Sequence, residues 1–139
     1  MNGPGNDDLR PLRIMGTALI AGPAMFLGVA IFLRNMPDGA FTGAPDKTTI
    51  TWVSLFVGLS VIAVSFLLPA PRGGDMGTIR GHFITRLALV EGGALFGAVA
   101  YMLEGETVAL GMAILCIAVM AAVHFPTAER VERLRADRP

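Results

Sequence analysis

Four long apolar stretches alternate with short polar segments along the chain. They cover residues 14–33, 50–68, 83–103 and 107–125. Each is 19 to 21 residues long, and an α-helix of about 20 apolar residues crosses the hydrocarbon core of a bilayer. The pattern predicts an all-α integral membrane protein with four transmembrane helices in two hairpins. The chain then forms a single membrane domain with short tails at residues 1–12 and 126–139.

Composition agrees with this prediction. The chain is 53% hydrophobic and only 16% charged, whereas a soluble domain carries about 25% charged residues. No arrangement of Ser, His and Asp and no pair of carboxylates indicates an enzyme, and no His or Cys spacing indicates a metal site. We therefore expect no catalytic activity, no cofactor and no nucleic-acid partner, and the lipid bilayer is the first partner predicted.

The basic residues predict the orientation. With four spans, the two tails and the second loop share one side, which holds nine of the 11 Lys and Arg residues. The other side holds only Arg34 and Lys47. Loops rich in Lys and Arg stay in the cytoplasm, so we expect a multi-pass protein of the cell inner membrane with both termini cytoplasmic. The first apolar run exceeds the roughly 7 to 15 residues of a signal-peptide core, so we expect it to be retained.

A weak internal repeat relates the first and third spans. Residues 17–33 and 87–103 align at an offset of 70 with eight identities in 17 positions, and Gly22 matches Gly92. Such a repeat is consistent with a parallel duplication, in which the two hairpins run in the same direction. Glu91 aligns with Ala21, so only one copy carries a carboxyl.

Glu91 is the main candidate for chemistry. It lies near the middle of the third span, where a carboxyl is costly and is a functional-site hypothesis by default. The neutral, protonated form is the cheaper one in hydrocarbon. A carboxyl that is neutral in lipid and charged beside water or a cation can carry a proton, so we predict that Glu91 binds a proton. In the alternative, an arginine of another helix neutralises Glu91 or a serine hydrogen-bonds to it, and the role of Glu91 is structural.

The helical period predicts two different faces on the third span. Glu91 shares its face with Ala and Leu side chains, while Gly93 and Gly97 point to the opposite side. Small residues spaced four apart let membrane helices approach closely. If such helices pack into a ring through their glycine faces, Glu91 faces the outside of the ring. The glycines predicted to serve helix packing are Gly22, Gly58, Gly92, Gly93 and Gly97.

Three further residues are candidates to support Glu91. Ser60 and Ser65 of the second span could add oxygen ligands. Arg86 is the nearest basic residue in the sequence, but five positions place it about 140° around the helix. We therefore expect its long side chain to reach the headgroups instead.

The segment around Glu91 resembles the carboxylate helix of the proteolipid, or c subunit, of rotary ATP synthases. The resemblance rests on Ile79-Arg80-Gly81, Leu87-Ala88, Glu91, Phe96-Gly97 and Val99, without a gap from Ile79 to about Ala100. It covers one of the four predicted helices. It implies that Glu91 is the ion-binding position, that the protein oligomerises, and that a partner supplies a positive charge.

These observations predict a c-subunit-like oligomeric membrane proteolipid that moves protons through Glu91. Two other functions stay open at this stage. One is a structural, non-catalytic small subunit of a larger membrane complex. The other is a small proton-coupled exporter, although such exporters line their site with aromatic residues and this chain has only 7% of them.

Overall fold

The computed structural model describes residues 6–37, 48–71 and 75–136, and these residues are almost entirely helical. The helices are α1 (Asn6–Arg34), α2 (Thr49–Leu67), α3 (Met76–Glu104), α4 (Thr107–Val119) and α5 (Ala128–Ala136). A π-helical turn, Met120–His124, continues α4 without a break. No β-strand occurs in the described ranges.

Four helices are long and apolar enough to cross a membrane. They are Leu9–Arg34, Thr49–Leu67, Met76–Glu104 and Thr107–His124. The predicted all-α membrane protein with four spans is confirmed. The first and third helices begin earlier than their apolar runs, because a helix continues into polar sequence until a cap ends it.

The start of α3 shows such a cap. The side chain of Asp75 accepts hydrogen bonds from the backbone N–H of Thr78, at 3.3 Å, and from the Thr78 hydroxyl. This satisfies a backbone donor that the first turn of a helix leaves free. The bonds from Thr78 stabilise the carboxylate and lower the pKa of Asp75. Met76 is therefore the first helical residue, seven positions before the predicted span.

α3 is the central helix of the bundle. It packs against α1 on one side and against α2 and α4 on the other, while α1 makes little contact with α2 in the described ranges. The start of α1, the start of α3 and the end of α4 lie together, and we call this the terminal end of the bundle. The opposite end is called the far end.

α1 and α3 are parallel and in register. At the terminal end Leu9 of α1 shares a buried cluster with Ile79. Further along, Leu27 packs with Ala98. Each residue of α1 therefore meets a residue about 70 positions later, which is the offset of the sequence repeat.

Glycines bring α3 close to its neighbours. A Cβ added to Gly97 would lie 3.0 Å from the backbone nitrogen of Ala113 in α4. A Cβ added to Gly93 would lie 2.7 Å from Val61 and 3.4 Å from the Cα of Gly58, both in α2. The glycine side of α3 is therefore filled by helices of the same chain.

Two charged side chains join three helices at the far end. Arg34 of α1 donates hydrogen bonds to the last carbonyls of α3, at 3.2 Å from Leu103 and 3.1 Å from Glu104. The carboxylate of Glu104 accepts the backbone N–H groups of Ile50 and Thr51, each at 2.8 Å, at the start of α2. A cation at a helix C-terminus and an anion at a helix N-terminus both interact favourably with the helix dipole.

Loss of the Glu104 carboxylate is expected to destabilise the bundle. Thr48 makes no side-chain cap bond, so Glu104→Ala leaves the first amides of α2 without an acceptor. We expect the midpoint of thermal unfolding in detergent to fall by a few degrees. Glu106→Ala, two residues later, is the matched control, because its side chain makes no cap bond to α4. An equal effect of both substitutions would contradict this role of Glu104.

α5 folds back onto the terminal end. Its Val131 is fully buried in a cluster with Leu9 and Leu12 of α1 and Ile79 and Phe83 of α3. Ala128 and Leu134 of the same helix pack against this cluster, and the other positions are mostly charged. The C-terminal segment is therefore part of the folded bundle in the range that the structure describes.

Candidate functional site

Glu91 lies near the centre of α3, the central helix of the bundle. Fifteen residues of α3 precede it and 13 follow it, so it is about 20 Å from either helix end at 1.5 Å per residue. Its side chain is half-buried. The bundle thus holds a carboxyl at mid-membrane depth on its central helix.

The carboxyl of Glu91 is directed at α1. A Cβ added to Gly22 would lie 3.5 Å from Oε1 of Glu91, which is ordinary contact, so the carboxyl lies beside α1 at this glycine. Pro23 follows and is fully buried. Since proline has no N–H, the carbonyl of Leu19, one turn earlier, lacks its usual helical donor. A backbone carbonyl of α1, one turn before Gly22, is therefore left without its helical hydrogen bond.

Small exposed residues border the carboxyl on both helices. Ala88 and Gly92 of α3 and Ala21 and Gly22 of α1 are all exposed at the surface of the bundle. Toward the terminal end, the same two helices border an open apolar pocket of about 260 Å³, lined by residues such as Ala18 and Ile84. Glu91 can therefore be approached from the side of the bundle, through the region that lipid chains would fill.

The candidate supporting residues do not contact Glu91. Arg86 donates from its guanidinium to the carbonyl of Leu68, at 2.6 Å, at the end of α2. Ser65 donates to the carbonyl of Ile62 at 2.6 Å, and Ser60 is on the same helix, which packs on the glycine side of α3. No hydrogen bond or ion pair reaches Glu91 from the part of the chain that the structure describes.

The predicted packing glycines fall into two groups. Gly22, Gly58, Gly93 and Gly97 each face another helix, and Gly22 alone of these meets the carboxyl. Gly92 is exposed, and a Cβ at its position would meet nothing within 4 Å. The two glycines paired by the sequence repeat therefore have different surroundings.

A buried polar pair near the terminal end was not predicted. His124, in the π-turn, is 1% exposed, and its Nε2 lies 2.9 Å from Oγ of Ser65. The two bonds of Ser65 are compatible when its hydroxyl donates to the Ile62 carbonyl and the imidazole N–H donates to Oγ. The π-turn inserts one residue into the helical period, so the apolar pattern of α4 gave no sign that His124 points inward.

The fold and the site define a class, a four-helix membrane protein with a carboxyl at mid-depth on its central helix. No protein-family model, curated protein or solved structure matches the chain. Among the described side chains, no group of three His, Cys, Asp or Glu residues is placed to hold a metal ion.

Proposed function

We propose that this protein is an oligomeric membrane proteolipid, similar to a c subunit, in which Glu91 takes up and releases a proton. The observation that carries the proposal is the position of Glu91. It is a half-buried carboxyl at mid-membrane depth that lies beside Gly22. Among the described residues, no cation or hydrogen-bond donor contacts it. A carboxyl in such surroundings is stable when it is neutral.

The mechanism alternates two environments for Glu91. Facing lipid chains, the carboxyl keeps its proton, because the neutral form is the cheaper one in hydrocarbon. Beside a positive charge or a water-filled channel, the ionised form becomes the stable one and the proton leaves. Arg86 is bonded to the end of α2, so we assign the positive charge to another subunit.

The proposal includes an orientation and a membrane. The excess of Arg at the terminal end supports placing both termini in the cytoplasm, with the protein in the cell inner membrane.

The proposed oligomer would form through helices other than α3. The glycine side of α3 is covered by helices of the same chain, so contacts between copies would form through the exposed faces of the other helices. Exposed apolar side chains such as Met25, Phe56 and Leu67 are 74% to 80% exposed and fit lipid or such a contact.

Carbodiimide labelling of Glu91 in native membranes tests the proposal. Carbodiimides react with protonated carboxyls in apolar surroundings. We expect label on Glu91 at neutral pH, fading only at alkaline pH, and no label on Glu104 or Glu106 at the far end. Peptide mapping by mass spectrometry locates the label, and Glu91→Gln, which keeps the size of the side chain, is expected to remove it.

Absence of label at every pH, in membranes where a known proteolipid is labelled, would contradict the proposal. The protein would then be better explained as a structural, non-catalytic subunit of a larger membrane complex. One observation favours that second candidate: α3 is enclosed by α1, α2 and α4, whereas a free carboxylate helix would expose more of its surface. In that case Glu91→Gln should leave assembly of the complex unchanged.

A further inference from the structure

An open cavity lined by apolar and basic side chains lies at the terminal end, where α3, the π-turn and α5 meet. Its volume is about 250 Å³. The basic or potentially basic residues that line it are His82, Arg86, His124, Arg130 and Arg133. No acidic side chain is among the described residues of its lining. Three guanidinium groups therefore line the cavity, and one of them, that of Arg133, is paired with Glu129.

Two of these guanidinium groups are held in place by backbone carbonyls. Arg130 donates to the carbonyls of Ala122, at 2.9 Å, and Phe125, at 3.1 Å, and also to that of Val123. Arg86 is fixed by its bond to the carbonyl of Leu68. Carbonyls orient the guanidinium planes but do not neutralise their charge. The cavity is thus organised before any ligand enters it.

One donor of a lining side chain has no acceptor among the described residues. The Nε of Arg86 is buried, and no described acceptor lies within hydrogen-bond distance of it. A buried donor without an acceptor is costly, more so when the group is charged. Guanidinium groups bind carboxylate and phosphate through paired N–H groups. An anion in the cavity would pair with the part of the Arg86 guanidinium that lines it.

The cavity lies beside the ends of two candidate membrane spans, where the phosphate groups of a bilayer are expected. The last candidate span ends at His124, and the second ends at Leu67, close to the lining residue Ala70. Anionic lipids recognise basic pockets between membrane helices at this level. The ion pair of Arg133 with Glu129, at 2.5 Å, is exposed on α5. Among the described side chains, neither Arg86 nor Arg130 has a carboxylate partner.

We propose that this cavity binds a phosphate-bearing anion, with Arg86 as the principal contact. The same chemistry is offered by the headgroup of an anionic phospholipid and by a free phosphate compound. This site is separate from Glu91 and does not depend on the proton-carrying role.

Native mass spectrometry of the purified full chain in detergent tests the proposal. Phosphatidylglycerol, phosphatidylcholine and inorganic phosphate are added separately, and phosphatidylglycerol is then added in competition with phosphate. We expect retention of an anionic ligand over phosphatidylcholine. Arg86→Gln should weaken it by about tenfold or more, because it removes charge-assisted bonds.

Two variants make the result specific. Arg13→Gln removes an exposed arginine of α1 at the same end and should leave retention unchanged. Ala70→Leu fills the cavity without removing a hydrogen bond and should weaken retention even if Arg86→Gln does not fold.

The source of the anion follows from the competition. Retention of phosphatidylglycerol that phosphate does not displace indicates a lipid headgroup, while displacement or direct binding of phosphate indicates a free phosphate compound. The proposal is overturned if neither anion is preferred over phosphatidylcholine. It is also overturned if Arg13→Gln weakens retention as much as Arg86→Gln, or if Ala70→Leu has no effect.

Discussion

Gly97→Leu is expected to separate α3 from α4 and to lower the free energy of unfolding by about 3 kcal/mol. A Cβ at Gly97 would lie 3.0 Å from the nitrogen and 3.3 Å from the Cα of Ala113, and 3.2 Å from the oxygen of Ala109. All three atoms belong to the backbone of α4, which cannot move aside as a flexible side chain can. The remainder of a leucine side chain has no space unless the helices part.

Gly92→Leu is the matched control for this prediction. It makes the same exchange on the same helix, but its Cβ would meet nothing within 4 Å. The change in helix propensity is the same at both positions, so the difference between them measures packing alone. Unfolding by SDS in mixed micelles, followed by circular dichroism, gives both values. Equal stabilities would show that α3 and α4 are not in contact at Gly97.

The alanine variants should give a graded result. Gly97→Ala adds only the Cβ and is expected to cost about 1 kcal/mol, less than leucine. Gly92→Ala, in open space, should be neutral or slightly stabilising because alanine favours helix. Helix packing in a bilayer depends on such close backbone approach, since lipid chains are as apolar as leucine.

The spans could be predicted from the sequence because the thickness of a bilayer sets their length. Hydropathy located all four, but it did not place the start of α3. The helix continues from Phe83 back to Met76, where the side chain of Asp75 caps it. Hydropathy records what lies in hydrocarbon, whereas hydrogen bonds at the cap decide where the helix begins.

Contacts between distant residues could not be predicted. Glu104 caps α2 across 54 residues, and Ser65 meets His124 across 59. A helical period shows which residues share a face, but it does not show which helix covers that face. Thus Gly93 and Gly97 were placed opposite Glu91 on α3, while the identity of the helices against each side came only from the fold.

Gly22→Leu is expected to suppress the reaction of Glu91 with carbodiimide. The Cβ of a residue at position 22 would lie 3.5 Å from Oε1 of Glu91, which is ordinary contact, so Gly22→Ala should be tolerated. A leucine continues beyond that point, into the opening between α1 and α3 through which the reagent approaches. We expect labelling to slow by about tenfold, or about 1.4 kcal/mol in the activation barrier.

Gly28→Leu provides the control on the same helix. A Cβ at Gly28 would meet nothing within 4 Å, so Glu91 should be labelled at the same rate in Gly28→Leu as in the unmodified chain. Unfolding midpoints would verify that both variants fold. If Gly22→Leu labels at the original rate, the reagent reaches Glu91 from another direction and the opening beside Gly22 is not its path. If labelling of Glu91 slows in Gly22→Leu but not in Gly28→Leu, the reactivity of the carboxyl depends on the space beside Gly22. The two variants differ only in what the added side chain meets.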